Sequence, residues 1–121
     1  MENKLLQFKE LNWDSNPFKI LEKSNSNMRI KFEHLSLSNN SKVINEIEFK
    51  NPRSEWASLW NEKINEWQEH PDMESPIGEN IIEAFVKPVG TVFKFSFAGN
   101  HQLGWSRWGF TSDSFELITK T

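Results

Sequence analysis

A chain of 121 residues with 36% hydrophobic and 26% charged side chains has the size and composition of one domain, 1–121, able to bury a core of its own. It holds no cysteine, which excludes disulfides, thiol catalysis and cysteine-based zinc sites and suits a reducing cytoplasm. The net charge of −3 disfavours nucleic acid or another general polyanion as partner, and no apolar run approaches the roughly 20 residues that span a bilayer, so no membrane is expected.

The opening "MENKLLQFKELNW" lacks the apolar centre of a secretory signal. Leu6–Phe8 reads as a strand, and so does Phe18–Ile20 beyond the turn-forming "DSNP". "SNSN" and "SNNS" then bracket "MRIKFEHLSL", where Met28, Ile30 and Phe32 alternate with charged residues at the period of a half-buried strand. Leu35 and Leu37 continue the apolar set out of phase, which predicts a bulge near Glu33–His34. "KVINEIEFK" follows as a further strand, close enough to close a hairpin.

The stretch "SEWASLWNEKINEWQEH" (54–70) carries three of the six tryptophans and predicts a long amphipathic helix over about 52–70. Asn51 would cap it, Pro52 suits its first turn and Pro71 stops it. On a helical wheel Trp56, Leu59, Trp60, Ile64 and Trp67 form one apolar stripe, read as core, with Lys63 snorkelling through it. Glu55, Glu62, Glu66 and Glu69 fall within an arc of about 60° beside that stripe, with Asp72 and Glu74 following. Residues 51–75 hold six acidic and two basic side chains, a local charge of −4 that exceeds the imbalance of the whole chain. Such a strip is either a solvated face or a docking surface for a basic partner.

Past residue 75, "GENIIEAFVKPVG" is ambiguous. Ile81, Ile82, Phe85 and Val86 have helical spacing, whereas Pro88 and Gly90 suit a turn into the next strand, and the hairpin is preferred. Phe93, Phe95 and Phe97 then share one strand face, and "GWSRWGF" and "SFELITK" complete the β-like half. Strands, one helix and strands again predict an α+β fold, an antiparallel sheet with the helix across one face.

No signature of a reaction or cofactor appears: no phosphate-binding glycine loop, nucleophile elbow or zinc-ligand spacing. "HPD" (70–72) lacks the second ligand pair of a metal site, and a pair such as His34 and His101 could in principle do acid–base chemistry, although nothing in the spacing demands it. No catalytic residue and no metal site is assigned. Trp105, Arg107 and Trp108 offer an alternative, a sheet face that stacks single-stranded bases, although the basic groove that accompanies such faces is missing.

A cysteine-free, mildly acidic chain with Glu55, Glu62, Glu66, Glu69, Asp72 and Glu74 concentrated in one segment resembles, in general character, the bacterial toxin immunity proteins of contact-dependent growth inhibition. The resemblance implies a cytoplasmic inhibitor that binds a cognate, nuclease-type toxin domain with a basic cleft. The strands–helix–strands order also resembles the Whirly arrangement of single-stranded DNA binders.

Overall fold

The stretch between Pro52 and Pro71 is not a helix but two antiparallel strands. A computed structural model of the chain describes residues 2–10, 16–35, 42–78 and 80–120. In chain order these form α1 (Glu2–Glu10), β1 (Asn16–Lys23), β2 (Asn27–Leu35), β3 (Lys42–Lys50), β4 (Arg53–Asn61), β5 (Glu66–Glu69), β6 (Asn80–Val89), β7 (Val92–His101), β8 (Gly104–Ser112) and β9 (Ser114–Lys120). The α+β expectation is therefore wrong: the described residues make a nine-stranded antiparallel sheet in the order β5-β4-β8-β7-β6-β1-β2-β3-β9, with one short helix.

The backbone gives the reason. Asn51, Ser54 and Asn65 all take a positive φ of 52–56°, the left-handed region that a right-handed helix cannot contain. Ser54 lies where the β4–β8 register slips, a bulge that shifts the alternation of β4. At the other end Asn61 Oδ1 accepts the Lys63 N–H, and its amide donates to Gln68 Oε1 across the hairpin. Asn61 and Asn65 thus build the 62–65 turn, and Trp60 meets Trp67 directly across the two strands.

Two long strands bend together. β3 continues into β4 through Asn51–Pro52, and β8 into β9 through Asp113, so β3 pairs β9 on one side of the corner and β4 pairs β8 on the other. Asp113 fastens the corner: its N–H donates to Lys50 O at 2.9 Å, and its carboxylate accepts from Arg53 at 2.7 Å and from the Asn51 amide at 3.0 Å. These two donors, Arg53 first, hold the carboxyl below its ordinary range.

The bend folds the sheet over on itself, and the ring contacts record the closure. Phe49 of β3 lies 4.7 Å from Phe95 and 4.8 Å from Phe110, and Phe18 of β1 lies 6.0 Å from Trp108. Phe93, Phe95 and Phe97 share the inner face, as their alternation predicts, together with Met28, Ile30 and Phe32 of β2. Residues 80–89 form a strand that turns through Gly90 into β7, the hairpin preferred from sequence. "SNSN" closes the β1–β2 hairpin, with Ser24 and Asn27 hydrogen-bonded to one another.

Two smaller expectations fail. The β2–β3 ladder runs without a slip from Asn27–Lys50 to Leu35–Lys42, so there is no bulge at Glu33–His34; the irregularity in this region is in β1, between Ile20 and Glu22. Leu37 and "SNNS" lie outside the described residues. Leu6–Phe8 is helical rather than extended, because Leu5 and Phe8, three apart, turn to one side of α1 and pack on the core. Phe8 is fully buried, 5.5 Å from Phe95 and 6.0 Å from Phe115. Among the described residues no helix is long and apolar enough to cross a membrane.

Since Phe8 joins the helix to both halves of the sheet, Phe8→Ala should cost about 3–5 kcal/mol in urea unfolding, the range for a buried aromatic whose site cannot collapse. A loss under about 1 kcal/mol would show that α1 does not close the core.

Candidate binding surface

In the half-sheet β5-β4-β8-β7-β6 the two faces differ in character. Ala57, Phe95, Phe97, Trp108 and Phe110 face inward and are buried. Trp56, Trp60, Trp67, Trp105 and Arg107 alternate with them and face outward. The tryptophans read as a helical core stripe are instead half-buried or exposed, Trp56 to 42%. Ile64, at 49% exposure, sits in the hairpin turn.

Trp60 and Trp67 meet edge to face at 5.4 Å, and the Arg107 guanidinium carbon lies 3.8 Å from the centre of the Trp67 ring. Arg107 sits opposite Ser58 of β4, and that small side chain lets it reach across β4 to β5. The stacked cation contributes about 0.5–2 kcal/mol by attraction to the ring face. Arg107 Nε is shut off from solvent without a hydrogen-bond partner, so the ring carries the contact. Trp105 lines the neighbouring cleft of about 740 Å³ with Leu59, Trp60, Glu62, Glu69 and Leu103.

Trp108 does not join this surface. It is fully buried, stacked 5.2 Å from Phe97, and its Nε1–H donates to Glu55 Oε2 at 2.7 Å. The base-stacking trio predicted from sequence thus loses one member to the core.

The acidic strip is dispersed by the change of period. Glu55 is committed inside, accepting from Trp108 and from Lys23 Nζ at 2.6 Å, while Lys23 also donates to Met73 O. Glu66 and Glu69, three apart on β5, point to opposite faces of a strand where a helix would have aligned them. Asp72 is tied to His101, and Glu74 lies on the loop beside Lys23. Glu62, Glu66 and Glu69 remain together on the β4–β5 hairpin, exposed or half-exposed; among the described residues none has an ion-pair partner.

The histidines are structural in their contacts. Leu103 N–H donates to His101 Nδ1, which leaves the ring proton on Nε2, 3.3 Å from Asp72 Oδ2. Asp72 N–H donates to His70 Nδ1, and the two imidazoles meet edge to face at 4.6 Å. Both nitrogens of His101 are thereby engaged, and His70 Nε2 is buried without a partner. Burial above all, with His101 beside it, lowers the His70 pKa, while Pro76 and Asp72 oppose more weakly. Hydrogen bonds from His101 and from Ser75 N–H lower that of Asp72. The backbone of His34 belongs to the β2–β3 ladder, on a different part of the sheet from His101 in β7, so the sequence pair is not brought together. No group of three metal-ligating side chains occurs among the described residues.

The only signal in the sequence for the outward tryptophans was their alternation with Ala57 and Leu59, masked by the equally good helical spacing. No protein family, curated protein or solved structure matches the chain.

Two outcomes follow. Glu55→Leu strands the buried Trp108 N–H and should cost about 1–3 kcal/mol, whereas Glu55→Gln keeps an acceptor and should cost clearly less; equal losses in urea unfolding would refute the hydrogen-bond role. For His70, a folded pKa below the unfolded value of 6.5 means the unfolded chain binds the proton first. Its stabilising contribution is whole above about pH 7 and shrinks as pH falls through 6.5 toward the folded pKa. The melting temperature should therefore fall between about pH 7 and 5, and His70→Gln should flatten that slope. The Asp72 contribution is lost in a separate, more acid window below its ordinary 3.8.

Proposed function

We propose that the chain is a non-catalytic protein-binding domain, the cytoplasmic immunity partner of a basic, nuclease-type toxin domain, and that it grips its partner with the β4–β5 hairpin and the adjoining face of β8. The observation that carries the reading is the company of two features on one edge of the sheet. Trp60, Trp67 and Trp105 stand partly exposed on β4, β5 and β8, and Glu62 and Glu69 lie beside them with Glu66 on the same hairpin, none of the three in an ion pair among the described residues.

Partly buried tryptophans held by neighbours offer large contact area at little further entropy cost, the property that makes this residue a frequent interface anchor. Exposed carboxylates beside them, free of ion pairs among the described residues, steer a cationic surface into register and oppose an anionic one. A lysine or arginine from the partner fits the cleft between the hairpin and the β7–β8 turn, where Glu62 and Glu69 stand beside Trp60 and Trp105. The same carboxylates oppose a nucleic-acid strand on this edge. The site residues are thus revised from the sequence set: Glu62, Glu66 and Glu69 stay, Trp60, Trp67 and Trp105 join them, and Glu55 and Asp72 are occupied within the fold.

The test is isothermal titration against the inactivated toxin domain encoded beside this chain's gene. Tight binding should weaken about 100-fold or more in Trp60→Ala/Trp67→Ala. Glu62→Lys/Glu66→Lys should chiefly slow association and remove its salt dependence, with the melting temperature nearly unchanged. No saturable binding, or binding indifferent to both double variants, overturns the assignment.

A further inference from the structure

The outer face carries a second aromatic cluster two residues along the strands from Arg107, on its own chemical terms. The register aligns Trp56 of β4, Gly109 of β8, Ser96 of β7 and Phe85 of β6 in one row across four strands. Two large rings thus flank two minimal side chains. A Cβ at Gly109 would stand 2.6 Å from three atoms of the Trp56 ring, Nε1, Cε2 and Cζ2. The edge of the indole thus packs directly over Gly109, while Trp56 remains 42% exposed. Phe85, at the far end, is 58% exposed.

One step along the same face, Thr111, Lys94 and Lys87 form the next row, and the two lysines are direct cross-strand partners. Like charges directly opposed destabilise a ladder. Both ammonium-bearing side chains are exposed, and among the described residues neither has an ion-pair partner. The aromatic and lysine rows are two residues apart, roughly 7 Å along the strand. A cleft of about 460 Å³ joins them, lined by Ser54, Trp56, Phe85, Lys87, Lys94 and Ser96 among others. Its size is that of a small-molecule site.

We infer that this cleft binds a phosphorylated mononucleotide, its base stacked on the exposed ring of Trp56 and its phosphate held between Lys87 and Lys94. The charge of the ligand follows from the lysine pair, whose mutual repulsion an anion between them relieves. Its planarity follows from the exposed indole, and its extent from the one cleft that Trp56, Lys87 and Lys94 all line. Ser96 and Ser54 add hydroxyls for the sugar or base edge. The site is separate from the hairpin edge and stands or falls independently of the toxin-binding reading.

Calorimetric titration of the full chain at low salt with AMP, adenosine, inorganic phosphate and short single-stranded oligonucleotides decides the matter. AMP should bind saturably, with adenosine and phosphate each weaker by about tenfold or more, since each keeps half of the contacts. Lys87→Ala/Lys94→Ala should weaken AMP about tenfold and abolish its salt dependence. Gly109→Ala, which lifts the indole off the sheet without changing charge, should weaken AMP and adenosine alike. Circular dichroism checks that it folds, and if it does not, the exposed lysine pair decides alone. Absence of saturation at millimolar AMP, or binding untouched by these variants, overturns the inference. So does affinity that climbs with oligonucleotide length, which would mark a strand-binding face.

Discussion

The coupled bend of two paired strands is the constraint on which the rest of this structure depends. A nine-stranded antiparallel sheet left open would expose one apolar face along its whole length. Here Asn51, Pro52 and Asp113 turn both long strands at the same place, and the sheet covers itself. Asn51 supplies a left-handed residue, tolerated by asparagine at modest cost, and the Asp113 carboxylate spans the corner to Arg53 and Asn51. With the corner in place, Phe49 reaches Phe95 and Phe110, and the helix adds Phe8, with Leu5 beside it, to the same core. The interior is chiefly phenylalanine, whose offset and edge contacts adapt to strands crossing at a fold.

The same geometry decides what lies outside. Once Trp108 and Phe110 point in, their neighbours on β8 point out, and Arg107 and Gly109 become the floor of an exposed face. Arg107 carries the Trp67 ring, and Gly109 receives that of Trp56. Each tryptophan of the hairpin region is therefore positioned by a residue on another strand. Local sequence cannot express that dependence.

This explains which parts of the fold were legible. Met28, Ile30 and Phe32, or Phe93, Phe95 and Phe97, alternate with polar residues and lie on strands with one buried face, so a period of two is unambiguous there. Residues 54–70 satisfy both periods: Trp56, Trp60, Ile64 and Trp67 trace a helical stripe, and Trp56, Ser58 and Trp60 alternate with Glu55, Ala57 and Leu59. The competition is settled by Asn51, Ser54, Asn61 and Asn65, which favour turns and left-handed backbone and of which the helical reading used only Asn51, as a cap. Of the functional candidates, Arg107, Trp105 and the hairpin glutamates were identifiable by residue type, but their grouping came from the wrong geometry. Phe85, Lys87 and Lys94 drew no notice as a site, because only the pairing of β6 with β7 and of β4 with β8 brings them beside Trp56.

Charge counted along a chain is a weaker guide than charge left over after folding. The −4 of residues 51–75 looked like a single surface, yet Glu55 serves a buried indole and Asp72 a buried imidazole. Among the charges without an ion-pair partner, Glu69 faces outward on β5 with Glu62 at the hairpin turn, and Lys87 and Lys94 lie at the far end of the same outer face. Between them the Arg107 cation is turned onto an aromatic ring, so it neutralises neither end by a close ion pair. The two proposed sites on this face share no residue. A basic protein and an anionic small ligand can then occupy it without competing for the same residues, whereas a long polyanion would have to cross the carboxylates to reach the lysines.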